Sequence, residues 1–563
     1  MLYLVGITLL TQAADRPANQ NEIGLSNLQY RIELDINYRS SSFSGTETVR
    51  ITNSSRDDLD YINFHLYPNT GLLDDDESLL SVQLVSLNGR ELRFTLRSRQ
   101  TILRVELPSK LPPGQYVELK LNFSGRVPQV QREEASLLAH FLQEVNDAVS
   151  DERPIRDSRD IYFASEEAML LGYFFPMVAV KPSQLTEQSL VAGAGGIVAV
   201  DVANYEVRVT ADDGVTIISS GVNDEIRAIV PAQTPSSESL RQRKVFTFRG
   251  ENLRGFGLAI AERMKSIEQQ VGHTRVVSYF REGDDRLGKR ALSIAVRAIE
   301  SFSQSFGSYP YPIFQVIEMP LPAGSSDTEL PALVALAQAY YIDFDAPNSL
   351  RLPGVLREQA DVIKTSFEFI LAHGVAHQWW GDVIGSDPER TPYLDEALST
   401  FSAAYYHEVV YGKPLGEIIL KQQLQGTYQA YRMLGGVDLE VDKQAKEFRN
   451  ALQFAAIVQA KGALLFAALR KELGDQKFFN ALREYYSTYR YRIVSSEQLR
   501  GAFLNVADDQ RTVRALFQRW LKEKHGDEDI GTPDLTLLSP PVSKIRALGR
   551  VFVKIGKTAA KPF

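Results

Sequence analysis

Two histidines four residues apart, His373 and His377, place the tightest demand on how this chain folds. On a helix that spacing sets both imidazoles on one face, one turn apart, where they can share a metal ion. Glu396 follows nineteen residues after His377, at the start of a second helical pattern. The three side chains meet only if those two helices lie against each other. Two imidazole nitrogens and one carboxylate oxygen, with a fourth position open, describe a catalytic zinc site.

The hydrophobic period divides the rest of the chain. From Tyr30 to Arg39 apolar and polar residues alternate, the pattern of a half-buried strand, and the same alternation returns at Val117–Phe123 and Tyr205–Val209. Turn signals at Asn53–Ser55, Pro112–Gly114 and Ala211–Gly214 separate these runs. Residues from about 25 to 260 therefore read as an antiparallel β region, with an exposed acidic loop at Asp147–Asp160. Near residue 285 the period becomes helical, as Leu287, Ala291, Ile294, Ala295, Ile299 and Phe302 fall on one stripe. Phe314–Met319 reads as a buried strand, and helices are expected over 354–381, 395–411, 450–473 and 475–489. No repeat stands out at solenoid periods.

Composition excludes several classes of function. With no cysteine, the chain has no disulfide, thiolate metal site or cysteine nucleophile. A net charge of −8 argues against non-specific nucleic-acid binding. Gly193–Gly196 lacks the spacing of a phosphate cradle and reads as a flexible loop, and no GxSxG elbow is present. There is no uninterrupted apolar run long enough to cross a bilayer. Leu2–Leu10 is a short apolar run before small residues, either a secretory leader or a strand-like start. The first reading places the chain in the periplasm or outside the cell, the second in the cytoplasm. At the other end, Lys544, Arg546, Arg550, Lys554, Lys557 and Lys561 make a basic tail. It reads as a solvated segment or as a weak contact for an anionic surface.

The residues after the second histidine carry a family resemblance. Gln378, Trp379, Trp380, Gly381 and Asp382 follow His377 directly. Together with His373, His377 and Glu396 they resemble the M1 family of zinc aminopeptidases, whose signature is HExxH, eighteen residues, then Glu. The resemblance covers roughly residues 25–525, and about forty residues remain where many members carry a long helical domain. It implies a multidomain α+β fold, an N-terminal antiparallel β domain followed by a mostly helical, thermolysin-like zinc-peptidase domain. The expected divisions are a candidate leader at 1–20, the β domain at 21–262, the catalytic-type domain at 263–528 and the tail at 529–563. It also implies one Zn2+ held by His373, His377 and Glu396, with a peptide or protein N-terminus as partner.

Three positions depart from the family pattern. Gly374 stands where the family has its general-base glutamate, a group that typically supplies about 10²–10⁴-fold in rate. Gln459 stands where the family's tyrosine steadies the oxyanion, and losing such a donor typically costs about 10²–10³-fold. Tyr428 and Tyr431 lie upstream as substitutes for that hydroxyl. The family's amine-binding GxMEN matches Ser326–Leu330 only through Glu329, which reads equally as an amine-gripping acid and as a solvent-facing loop acid. The expectation is a zinc-binding M1-like protein that still binds peptides or N-terminal amines, with peptidase activity lost or strongly reduced. The alternative is an active zinc aminopeptidase using a substitute base such as Glu358 or Asp382.

Overall fold

The computed structural model describes residues 28–531 apart from 74, 150–157, 180–195, 197–198, 229–242 and 353. The leader-like segment, Gly193–Gly195 and all but the first three residues of the basic tail lie outside the described residues. The strand Leu28–Asn37 alternates buried and exposed along its whole length, as its sequence requires. It pairs antiparallel with Ser42–Thr52 but parallel with Ala203–Asp212, so the sheet is mixed where an antiparallel one was expected. Alternation fixes which face is buried and carries no information about which distant strand lies alongside. Eight strands form this sheet, and two four-stranded sheets pack with it around one apolar interior. The helix Leu137–Val149 runs into the start of the acidic stretch that was expected to be loop.

His65 ends the strand Leu59–His65 inside this β region, its ring stacked on Tyr67 at 4.9 Å between centroids. Burial pushes the imidazole down to about 4, and its Nδ1 has no hydrogen-bond partner among the described residues. Between its ordinary value near 6.5 and about 4, the unfolded chain takes up a proton that the folded chain refuses. Stability therefore falls as pH drops through that window, by on the order of 3 kcal/mol, and this contribution levels off below it. Chemical denaturation at pH 7 and pH 4 should show His65→Phe losing less stability on acidification than the parent chain.

A five-stranded sheet begins with the hairpin Met264–Val271 and Thr274–Arg281. Thr274–Arg281 pairs parallel with Ile313–Met319, and that strand pairs parallel with Leu333–Ala337. Every residue of Ile313–Met319 is buried, as a central parallel strand covered on both faces must be. The helix Asp285–Phe306 makes the first crossover. The short strand Asp327–Leu330 closes the sheet at its edge, antiparallel to Leu333–Ala337.

The helices that follow depart from the expected bounds in instructive ways. In place of one helix over 354–381 there are two, Gly354–Glu358 and Ala360–His377, and the second stops at His377. Gly381 has φ +128, a conformation open to glycine, so the chain turns away there. The next helix spans Tyr393–Tyr411. A short helix at Ala451–Phe454 passes through a π-helical turn at Ala455–Lys461 into Gly462–Tyr489, which Gly474 breaks at φ 74. By length and composition Ala451–Tyr489 is apolar enough to span a bilayer, and 72% of its most apolar window is buried within the fold.

Candidate metal centre

The helix Ala360–His377 carries both histidines on one face, and its C-terminal end, the negative end of its dipole, falls at His377. The helix Tyr393–Tyr411 lies against it and presents Glu396 in its first turn. The two Nε2 atoms are 3.0 Å apart, and Glu396 Oε2 is 3.7 Å from His373 Nε2 and 3.8 Å from His377 Nε2. A tetrahedral ion with bonds of 2.0–2.1 Å needs donors separated by about 3.4 Å. The triad predicted from the sequence therefore converges at coordination distance.

The electrostatics point the same way. Burial works to discharge His377, but Glu329, Glu396 and Asp395 outweigh it and hold the imidazole protonated well above its usual range. His373 is pushed in the opposite direction by burial and by the charge on His377. Burial opposes the charge on Glu396, yet hydrogen bonding to His377 and the charge of both histidines hold its carboxyl below the usual range. Glu329, Asp395 and Glu396 make the surroundings of His377 favourable to positive charge. Zinc would displace the His377 proton, since it binds neutral imidazole. The donor set and its spacing suit Zn2+.

Supporting contacts reach two of the three residues. Thr400 Oγ1 lies 3.4 Å from His373 Nδ1, the partner that the sequence left unnamed. Gln459, in the π-helical turn, donates its amide to Glu396 Oε2 at 2.8 Å. One of its two N–H donors is thereby engaged by Glu396. Tyr428 and Tyr431 are buried elsewhere, with their hydroxyls engaged by Asp527 and by Val437 and Gln453, so neither substitutes at that position.

Gln378 has a structural task. Its Oε1 accepts from Ala332 N–H at 2.7 Å and from Tyr309 at 3.2 Å, while Nε2 donates to Leu330 C=O at 3.2 Å. Ala332 has a left-handed φ of 59, and this one amide ties the turn of the edge hairpin to the end of the histidine helix. Trp379 and Trp380 are fully buried and donate to Gly307 C=O and Ser402 Oγ. A second tether reaches in from the β region. Arg254 is buried and donates to the carbonyls of Asp382 at 2.9 Å, Val200 at 2.7 Å and Arg492 at 3.4 Å. Gly385 leaves room for it, since a Cβ there would lie 2.3 Å from the guanidinium carbon.

The edge hairpin brings two acids to the histidines. Glu329 is one, and it can set a carboxylate oxygen with one nitrogen of each histidine, all within 4.8 Å of one another. It is thus at the site and not on a remote loop. Asp327, which the sequence reading passed over, is the other. The atoms nearest to where a Cβ of Gly374 would sit are two Val334 methyl carbons, at 3.0 and 3.2 Å, and Asp327 Oδ2 at 3.4 Å. That oxygen is buried and receives no N–H or hydroxyl donor among the described residues, while Oδ1 accepts from Ser326 Oγ at 2.8 Å. Burial and then the neighbouring Glu329 push the Asp327 carboxyl well above its usual range. The period of a strand was the available signal, because residues 327 and 329 share a face. Of the two acids named from sequence as substitute bases, Glu358 lies elsewhere and Asp382 lies next to the second histidine, whose charge acts on it. Glu358 is exposed in the short helix that precedes the histidine helix. Asp382 is buried beyond His377, its carboxyl raised to about 7 by burial.

Residues 290–520 match the peptidase family M1 domain. An aminopeptidase N from Lactococcus lactis subsp. lactis is 22% identical over 503 residues, 88% of this chain and 50% of the relative. An aminopeptidase N from Lactobacillus delbrueckii subsp. lactis is 26% identical over 239 residues, 41% of this chain and 26% of the relative. The chain thus spans half or less of the length of these curated relatives. Among solved structures, a point mutant of the M1 zinc metallopeptidase from Deinococcus radiodurans superimposes with a TM-score of 0.55 at 17% identity. That match covers 88% of this chain and 95% of the other. The fold matches that of an M1 zinc metallopeptidase, a β-sheet region leading into a helical region in which His373, His377 and Glu396 converge. Residues 290–520 thus form a peptidase family M1 domain, and the chain as a whole is similar to M1 aminopeptidases in sequence and fold.

Proposed function

We propose that the chain holds one zinc ion through His373, His377 and Glu396 and receives the free amino terminus of a peptide at Glu329, with peptide-bond hydrolysis strongly reduced. The convergence of the three donors with Glu329 beside them carries this reading. When bound, the ion supplies Lewis acidity, polarising a carbonyl and lowering the pKa of water towards about 7. The protein's own groups supply less than a full peptidase set would. Gly374 offers no side chain, and the Gln459 amide donates to Glu396. Glu329 offers a carboxylate for a cationic amine, an interaction worth about 1.5–3 kcal/mol.

The test is metal analysis joined to peptide binding. The purified chain should carry one equivalent of zinc, and stripping it with a chelator should lower the melting temperature. Readdition at a hundredfold excess over the dissociation constant should restore about 2.7 kcal/mol of stability. A peptide with a free amino terminus should bind at least about tenfold more tightly than its N-acetylated form. Glu329→Gln should erase that preference. A chain that takes up no zinc, or that binds both peptides alike, would refute the proposal.

A further inference from the structure

We infer that Asp327 does from the edge strand the proton-handling work that Gly374 cannot do from the helix. This rests on the zinc-site reading above and extends it to how residual hydrolysis proceeds. Three observations carry it. The helix surface at Gly374 packs against Val334 and the Asp327 carboxylate, whose Oδ2 lies 3.4 Å from where a Cβ would sit. Oδ2 is buried and receives no N–H or hydroxyl donor among the described residues, the Asp327 carboxyl meeting instead the carboxyl of Glu329. Oδ1 is pinned by the Ser326 hydroxyl at 2.8 Å, which fixes the direction in which Oδ2 faces. A buried carboxylate oxygen without a donor is costly, and such atoms persist where a ligand or a reaction needs them.

The glycine and the aspartate depend on each other. Any side chain at 374 would press on Val334 at 3.0 Å and occupy the space that Asp327 faces. Glycine in a helix costs about 1 kcal/mol relative to alanine, and here it keeps a methyl group out of contact with Val334 and Asp327. In the step we assign, Asp327 acts in its ionised form, which a zinc ion held beside it would favour, and a water oxygen bonds to the scissile carbonyl carbon as one of its protons passes to Asp327. The carbon–nitrogen bond then breaks as Asp327 returns that proton to the leaving nitrogen. One water and one peptide bond become a carboxyl group and an amine, and Asp327 ends as it began.

The experiment uses the full chain loaded with zinc. Asp327→Asn, which keeps size and shape, should lower turnover of an aminoacyl arylamide by about 10²–10⁴-fold. Its zinc content should be unchanged and its KM within about threefold of the parent. Calorimetry with an aminoacyl hydroxamate gives a readout independent of turnover. The hydroxamate N–OH can donate to a base carboxylate, and Asp327→Asn should weaken its binding by at least about tenfold. Gly374→Ala is the second variant, since it favours the helix yet wedges a methyl against Val334 and Asp327, and it should lower turnover about tenfold or more. The inference is overturned if Asp327→Asn keeps parental turnover or hydroxamate affinity. It is also overturned if that variant loses zinc as His377→Ala would, or if the parent turns over no faster than His377→Ala. A parent that binds no zinc would instead refute the site reading itself.

Discussion

Returning a glutamate to the histidine helix is expected to fail alone and to succeed in company. Gly374→Glu should leave hydrolysis no faster than the parent and should lower stability by about 1–3 kcal/mol, the range for overpacking a filled site. Its Cβ meets Val334 at 3.0 Å, and its carboxylate would compete with Asp327 for one buried space beside Glu329. The helix gains only about 1 kcal/mol from replacing glycine, too little to offset both. The triple variant Gly374→Glu, Asp327→Ala, Val334→Ala removes the methyl contact and the competing charge together. Its turnover should exceed that of Gly374→Glu by about 10²–10⁴-fold, the usual contribution of a placed acid–base group. Parallel denaturation and arylamide assays on the three chains decide the matter. Single-variant rescue would show that the pocket has slack which these distances deny.

The second large effect is on folding. Lys461 is almost completely buried, and its Nζ donates to Asp438 Oδ1 at 2.8 Å, Leu439 C=O at 2.8 Å and Glu523 C=O at 3.2 Å. The Asp438 carboxylate is itself 9% exposed, so little water can replace a lost partner. Lys461→Met should destabilise the chain by about 3–5 kcal/mol, because it strands a buried charge. Adding Asp438→Leu should recover part of this and not all, since Asp438 Oδ2 also accepts from Gly526 N–H at 2.8 Å. Urea titration of the two variants separates the charge from the hydrogen bond. Equal stability of Lys461→Met and the parent would show that this ammonium group is not needed to neutralise Asp438.

Much of the metal centre was legible because its information is local. His373 and His377 are related by one helical turn, and Glu396 opens the next long helix, so three residues and one period define the donors. The alternating strands were legible for the same reason, and the buried run at Ile313–Met319 likewise. What stayed hidden depends on pairing between distant segments. The parallel alignment of Leu28–Asn37 with Ala203–Asp212 leaves no mark on either strand. The helix end at His377 depends on contacts made after the chain has turned, among them the Gln378 amide reaching the edge hairpin. Asp327 gains its meaning only from the hairpin register that sets it opposite Leu336 and from the glycine across the gap. Gln459 looked like a lost hydroxyl, and only its 2.8 Å contact reveals a support for Glu396.

Arg254 has an architectural consequence. Its guanidinium leaves the β region and joins the backbone on both sides of Gly385, through Asp382 just after the second histidine and Arg492 beyond the long helix. A fragment begun near residue 263 would come away with a hollow where that cation sat and with peptide oxygens facing it bare. The half that holds the zinc donors is for this reason not a self-sufficient module: its floor is nailed from below by a residue belonging to the other half.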